Sequence, residues 1–89
     1  MGKSPLVLRA FSSLPRIKLL FCLKDREKNV NQLIKNCGLS QSAVSQHLAK
    51  LKRWGLVSCQ KHGKEIYYRL IKKNAAGIAK KLLVFYKNL

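Results

Sequence analysis

Apolar positions recur along this chain first with a helical period, then with a period of two, then with a helical period again. Leu6, Val7, Ala10 and Phe11 stand three and four residues apart and predict a short helix over about 5–12 that stops at Ser12-Ser13. Ser13 has the side chain of an N-cap. Pro15, in the first turn of the following helix, has no N–H to lose there, and Ile17, Leu20 and Phe21 continue the apolar stripe to about Leu23. The polar run Lys24 to Lys28 interrupts it. Asn29 with Gln32 three residues on resembles a capping box for a third helix carrying Val30, Leu33, Ile34 and Cys37, and Gly38 is the expected left-handed stop.

Only Leu39 separates Gly38 from Ser40, the expected cap of a fourth helix, and two helices joined by so short a glycine turn form a helix-turn-helix. At about 100° per residue from Gln41, Val44, Leu48 and Leu51 fall in one narrow arc, the core side. The opposite arc collects Gln41, Ser42, Ser45, Gln46, Ala49, Lys52 and Arg53. These are short or amide side chains able to approach base edges, with cations toward the C-terminal end. Any solvated amphipathic helix also has a polar face, so this arc alone does not decide between the two readings.

Gly55 closes that helix, and the period changes to two. Leu56 to Gln60 and Glu65 to Leu70 read as strands, the second with Ile66, Tyr68 and Leu70 on one face. Between them Lys61-His62-Gly63-Lys64 forms a basic tip suited to phosphates or to the minor groove, or to plain solvation. A last helix starts near Asn74 and runs over about 74–88, with Ile78, Leu82 and Phe85 in one line and Ala79, Leu83 and Tyr86 beside it. That is more apolar breadth than a small monomer needs. The fold class is therefore mainly α with one β-hairpin (α+β): about five helices and a two-stranded wing in one domain spanning 1–89.

Composition turns this architecture toward a partner. Nineteen Lys and Arg stand against only Asp25, Glu27 and Glu65, a formal net charge of +16 on 89 residues. Such self-repulsion is tolerable mainly when a polyanion is the working partner, and double-stranded DNA fits the helix face. A domain of this size buries only about 60% of its unfolded-chain surface, so a second subunit is the expected supplement. The apolar stretches Leu19 to Leu23 and Leu82 to Tyr86 are too short to span a bilayer, and Met1 to Phe21 is too broken for a signal peptide, so a cytoplasmic location is expected. Three cysteines with no C-x-x-C pair argue for a reducing compartment. With three carboxylates, no glycine-rich phosphate loop and no nucleophile with a recognisable His partner, no enzymatic role and no cofactor are expected.

The residues Leu39-Ser40-Gln41-Ser42-Ala43-Val44-Ser45-Gln46-His47-Leu48, then Leu51-x-x-x-Gly55-Leu56-Val57 and Gly63-x-x-Ile66-Tyr67-Tyr68-x-Leu70, closely resemble the ArsR/SmtB family of bacterial repressors. The likeness extends upstream through Ala10-Phe11-Ser12 and Arg16. It implies a winged helix-turn-helix homodimer on a near-palindromic operator, with base contacts at Gln41, Ser42, Ser45 and Gln46 and a dimer interface made by the terminal helices. Ser40, Lys52, Arg53, Lys61 and Lys64 are the candidate phosphate and wing contacts. A basic architectural or RNA-binding protein with little sequence preference is the competing expectation.

Many members of that family sense metals, but neither familiar site is present. Where one subgroup carries thiolates before the reading helix, this chain has Asn29 and Asn31, and neutral amides are poor ligands for soft metals. Where the other carries carboxylates and histidines on the last helix, Asn74 to Leu89 has no His, Asp, Glu or Cys. His47 is expected packed or in a polar contact beside the core, and His62 at the hairpin tip. Cys22 resembles the first redox cysteine of the family's thiol sensors, but the second, expected in the last helix, is absent. An intramolecular switch is therefore not expected. Cys22, Cys37 and Cys59 read first as small buried hydrophobes, with Cys22 a candidate thiol sensor if exposed with a lowered pKa.

Overall fold

The computed structural model describes residues 5–89. A 3₁₀ helix, Pro5–Phe11, precedes α1 (Leu14–Cys22), β1 (Lys28–Asn29), α2 (Val30–Cys37), α3 (Gln41–Arg53), β2 (Val57–His62), β3 (Glu65–Leu70) and α4 (Asn74–Lys87).

Most boundaries sit where local chemistry places them. Ser13 caps α1, its Oγ accepting from the Arg16 N–H. Asn29 and Gln32 form the full capping box of α2: the Gln32 N–H reaches Asn29 Oδ1 at 2.8 Å and the Asn29 N–H reaches Gln32 Oε1 at 2.9 Å. Gly38 ends α2 with φ +66°, a backbone state that costs a side-chain-bearing residue about 1–2 kcal/mol. Ser40 then caps α3 by accepting the Ala43 N–H at 3.1 Å.

Four details depart from the sequence pattern. The first helix is 3₁₀, and at its end the Arg9 carbonyl accepts from the Ser12 N–H at 3.1 Å, an i→i+3 bond, and from the Arg16 guanidinium. The C-cap of α3 is Trp54, with Gly55 one place beyond it; the Leu56 N–H bonds the Leu51 carbonyl and the Gly55 N–H the Lys52 carbonyl, the two bonds of a Schellman ending. The hairpin strands run further than expected, to His62, so the turn is only Gly63-Lys64, with Gly63 at φ +65° as a two-residue II′-type turn requires. Finally, the wing is not an isolated pair: β1 adds antiparallel to β3, Lys28 opposite Tyr68, in the order β1-β3-β2. A two-residue strand has too few positions to show a period of two.

The core is one cluster. Leu19 and Leu20 of α1, Leu33 of α2, Val44, Leu48 and Leu51 of α3 and Val57 of β2 are all fully buried. α1 lies at the centre, packed on α2, α3 and α4. From α4 only Ala75, Ala76 and Ala79 are buried; Leu82 and Leu83 are half-buried, and Ile78, Val84, Phe85 and Tyr86 are exposed.

Candidate nucleic-acid interface

The burial of Val44, Leu48 and Leu51 fixes the rotation of α3, and the opposite arc therefore faces solvent. Gln41, Ser42, Ser45 and Gln46 are all exposed, within the first two turns. Gln46 Nε2 donates to Ser42 Oγ at 3.4 Å, a weak bond that pre-aligns the two without occupying the amide's acceptor. Ser40 Oγ already accepts from the Ala43 N–H, which leaves its hydroxyl hydrogen free to donate to an anion.

The flanking cations divide into separate places. Lys52 is exposed, and its Nζ rests 3.3 Å from Cys59 Sγ on β2, joining α3 to the wing. Arg53 lies about 18 Å along the helix axis from Gln41. It lines an open, mostly apolar hollow of about 690 Å³ with Leu6, Phe11, Trp54 and Ile78. In the wing, Val57, Cys59 and Lys61 share a sheet face with Ile66, Tyr68 and Leu70. Lys61 thus projects on the α3 side, and Lys64 stands exposed in the turn. His62 is on the other face, where Nε2 meets Glu27 Oε2 at 3.4 Å.

Two residues named in the sequence for other reasons make long-range positioning contacts. Arg16 is buried, with no carboxylate beside it. Its Nε and a terminal nitrogen donate to the Arg9 carbonyl, the nearer at 2.6 Å, the other terminal nitrogen lies 3.4 Å from His47 Nδ1, and the guanidinium sits 5.3 Å from the Trp54 ring centroid. It binds the 3₁₀ helix and α1 to the back of α3. Burial first, then Arg9, lower its pKa, while burial, Arg16 and Lys50 lower that of His47. A signal existed: Arg16 falls on the same helical face as Leu19, Leu20 and Leu23. Asn29 is the second. Beyond capping α2, its Nδ2 donates to Glu65 Oε2 at 3.0 Å, tying the helix-turn-helix to the wing.

Cys22 and Cys37 depart from expectation. Cys22 is half-buried, and its Sγ lies 3.2 Å from that of buried Cys37, so it has an intramolecular thiol neighbour after all. The two are fifteen positions apart, on different helices, and no local pattern relates them. Among the described residues, no three His, Cys, Asp or Glu side chains form a group able to hold a metal, and no helix is long and apolar enough to cross a membrane.

A two-helix unit with a polar, exposed face on its second helix, followed by a β-hairpin packed beside it, defines a winged helix-turn-helix protein. The sequence profile of the bacterial regulatory protein arsR family matches residues 15–58. The transcriptional activator HlyU of Vibrio cholerae is 41% identical over 69 residues, 78% of this chain, and its solved structure superposes with a TM-score of 0.77 over 91% of this chain and 89% of that one. The transcriptional repressor PagR of Bacillus anthracis is 36% identical over 77 residues, covering 85% of this chain and 77% of the repressor. A homodimeric winged helix-turn-helix DNA-binding domain from Mycobacterium bovis, 26% identical, superposes with a TM-score of 0.74 over 91% of this chain and 75% of that one. The chain belongs to the arsR family. It spans between 49% and 64% of the length of the first curated relatives it matches.

Proposed function

We propose that this chain is a sequence-specific DNA-binding transcriptional regulator, a homodimeric repressor that acts in the cytoplasm on an inverted-repeat operator and has no catalytic role. The observation that carries the reading is the exposed strip Gln41, Ser42, Ser45 and Gln46 on a helix whose other face is locked into the core, on a chain of net charge +16. Each Gln offers the amide donor and acceptor that pair with an adenine edge, and the serines reach a base or the nearest phosphate. Ser40 and the free N–H groups at the start of α3 add an anion site, and Lys52, Arg53, Lys61 and Lys64 extend phosphate contact toward the wing.

The dimer is assigned to the terminal helices, about 5–12 and 74–88. Leu8 is 66% exposed, Ile78 45% and Phe85 66%, and the hollow that includes Leu6, Phe11 and Ile78 joins the two ends of the chain. The chain exposes 6240 Å², against about 5300 Å² expected for a compact monomer of its mass. Repression follows from occupancy, since a bound dimer blocks other proteins from the same duplex. In vitro selection of bound DNA from a random pool tests the reading. The expected result is an inverted repeat whose half-sites lie one or more helical turns apart, about 10 bp each, and whose binding survives competitor DNA. Equal affinity for every sequence, or a preference for RNA, would overturn it.

A further inference from the structure

The last turns of α1 and α2 meet at two sulfurs, Cys22 Sγ and Cys37 Sγ, 3.2 Å apart. A disulfide bond is about 2.05 Å long, so closing the pair requires about 1.2 Å of approach. Cys59 is not part of it, being engaged with Lys52 on β2. Two sulfurs without a third ligand do not make a tetrahedral metal site, and the described residues supply none. What the arrangement can do is thiol chemistry.

The surroundings give the two thiols different tasks. Half-buried Cys22 is open to a small solute, while Cys37 is buried. Once Cys22 ionises, its sulfur can only accept from the Cys37 S–H, and that bond with the positive potential of Lys28, Lys24 and Lys18 outweighs burial and brings Cys22 down to about 7. Cys22 also ends α1, whose C-terminal dipole opposes an anion, but three lysines lie nearby. Cys37 is held well above the ordinary thiol range by the same hydrogen bond and by burial. Cys22 is thus the nucleophile and Cys37 the resolving thiol.

We infer that Cys22 and Cys37 form a dithiol modification site whose co-substrate is a small hydroperoxide and whose product is an intramolecular disulfide clamping α1 to α2. The Cys22 thiolate attacks one peroxide oxygen, the O–O bond breaks, and the departing alkoxide or hydroxide takes up the proton that Cys22 released on ionising. The Cys37 sulfur then attacks the Cys22 sulfenic acid; the S–O bond breaks, and the hydroxyl leaves as water with the Cys37 proton. Two thiols and one hydroperoxide become one disulfide, one alcohol (water, from hydrogen peroxide) and one water, two electrons passing from sulfur to oxygen. Cys37 directly precedes Gly38, the turn that launches α3. Drawing its sulfur toward α1 displaces the start of the reading helix and weakens DNA binding, a consequence that rests on the function proposed above, whereas the sulfur chemistry does not.

The test treats the reduced full chain with a small molar excess of hydrogen peroxide. Intact mass should fall by two hydrogens, peptide mapping should join Cys22 to Cys37, and Cys59→Ser should behave identically. Cys37→Ala should accumulate a sulfenic acid at Cys22 that dimedone traps, and Cys22→Ala should leave Cys37 unmodified. On the DNA selected with reduced protein, oxidation should lower affinity by about tenfold, a typical size for coupling between sites. Dithiothreitol should restore it, and Cys22→Ala should be indifferent to peroxide. Unmodified Cys22 and Cys37, or a linkage through Cys59, would overturn the site, and a disulfide that leaves affinity unchanged would overturn its coupling to α3. A reduced protein with no sequence preference counts against the DNA-binding proposal alone, because the mass measurement is independent of it.

Discussion

Gln46 and Lys64 carry the same proposed interface in different ways. Gln46 stands in the middle of the exposed strip of α3, where an amide can make two hydrogen bonds to a base edge, while Lys64 sits in the wing turn as a mobile point charge. Gln46→Ala is expected to cost about 1–3 kcal/mol on the selected site and to relax base preference at one position of each half-site. Lys64→Ala is expected to weaken all sequences alike and to reduce the salt slope of binding by about one unit. Titrations of matched and mismatched duplexes at several salt concentrations separate the two, and identical effects would contradict this assignment. His47 provides a pH dependence. Its Nδ1 faces the Arg16 guanidinium, a donor without acceptors, so the bond requires an unprotonated Nδ1, and burial, Arg16 and Lys50 all lower its pKa below 6.5. The unfolded chain therefore binds the proton more readily. Stability from this group is complete above pH 6.5 and is lost as pH falls below it toward the depressed folded value. Urea melts between pH 7.5 and 5 should show this loss, and His47→Gln should diminish it.

At the scale of elements, short-range chemistry explains most of the architecture. Ser13, the Asn29–Gln32 box, Gly38 and Ser40 each act over three or four residues, which is why the starts of α1, α2 and α3 were legible from spacing alone. The exceptions are long-range. The end of the 3₁₀ helix is held by Arg16 capturing the Arg9 carbonyl, and β1 exists only because β3 offers it an edge. Gly38 is the turn on which the placement of α3 depends, and no atom lies within 4 Å of where a Cβ would stand, so a substitution there meets only the backbone penalty. Gly38→Val is expected to lose about 1–2 kcal/mol and Gly38→Asn less, because Asn tolerates the left-handed region. Denaturation midpoints check the order, which should reverse if packing, not backbone conformation, governs the site.

For the whole molecule the dominant facts are charge and an uncovered apolar face. A net charge of +16 opposes bringing two copies together, so the proposed dimer relies on the apolar surface of the terminal segments, helped by salt or by bound DNA. Phe85, two-thirds exposed on α4, is the side chain whose burial that dimer would need most. Phe85→Glu is expected to leave the fold intact, since nothing in the core contacts depends on it, and to shift sedimentation from dimer to monomer. Affinity for the inverted repeat should fall toward that for a single half-site. A monomeric wild type, or a variant that stays dimeric, would place the interface elsewhere.

The amino-acid sequence by itself determined what local chemistry can encode: four α-helices by their apolar period, the helix starts by their caps, a hairpin by alternation around Gly63, and a polar strip on α3 by its rotation relative to Val44, Leu48 and Leu51. Tertiary structure alone decided which distant residues meet. It brought Arg16 against His47 and Trp54, drew Asn29 to Glu65 and β1 to β3, and placed Cys22 beside Cys37. None of those pairs has a fixed spacing in the chain, because each contact is set by how whole helices and strands pack rather than by the few residues between two neighbouring turns.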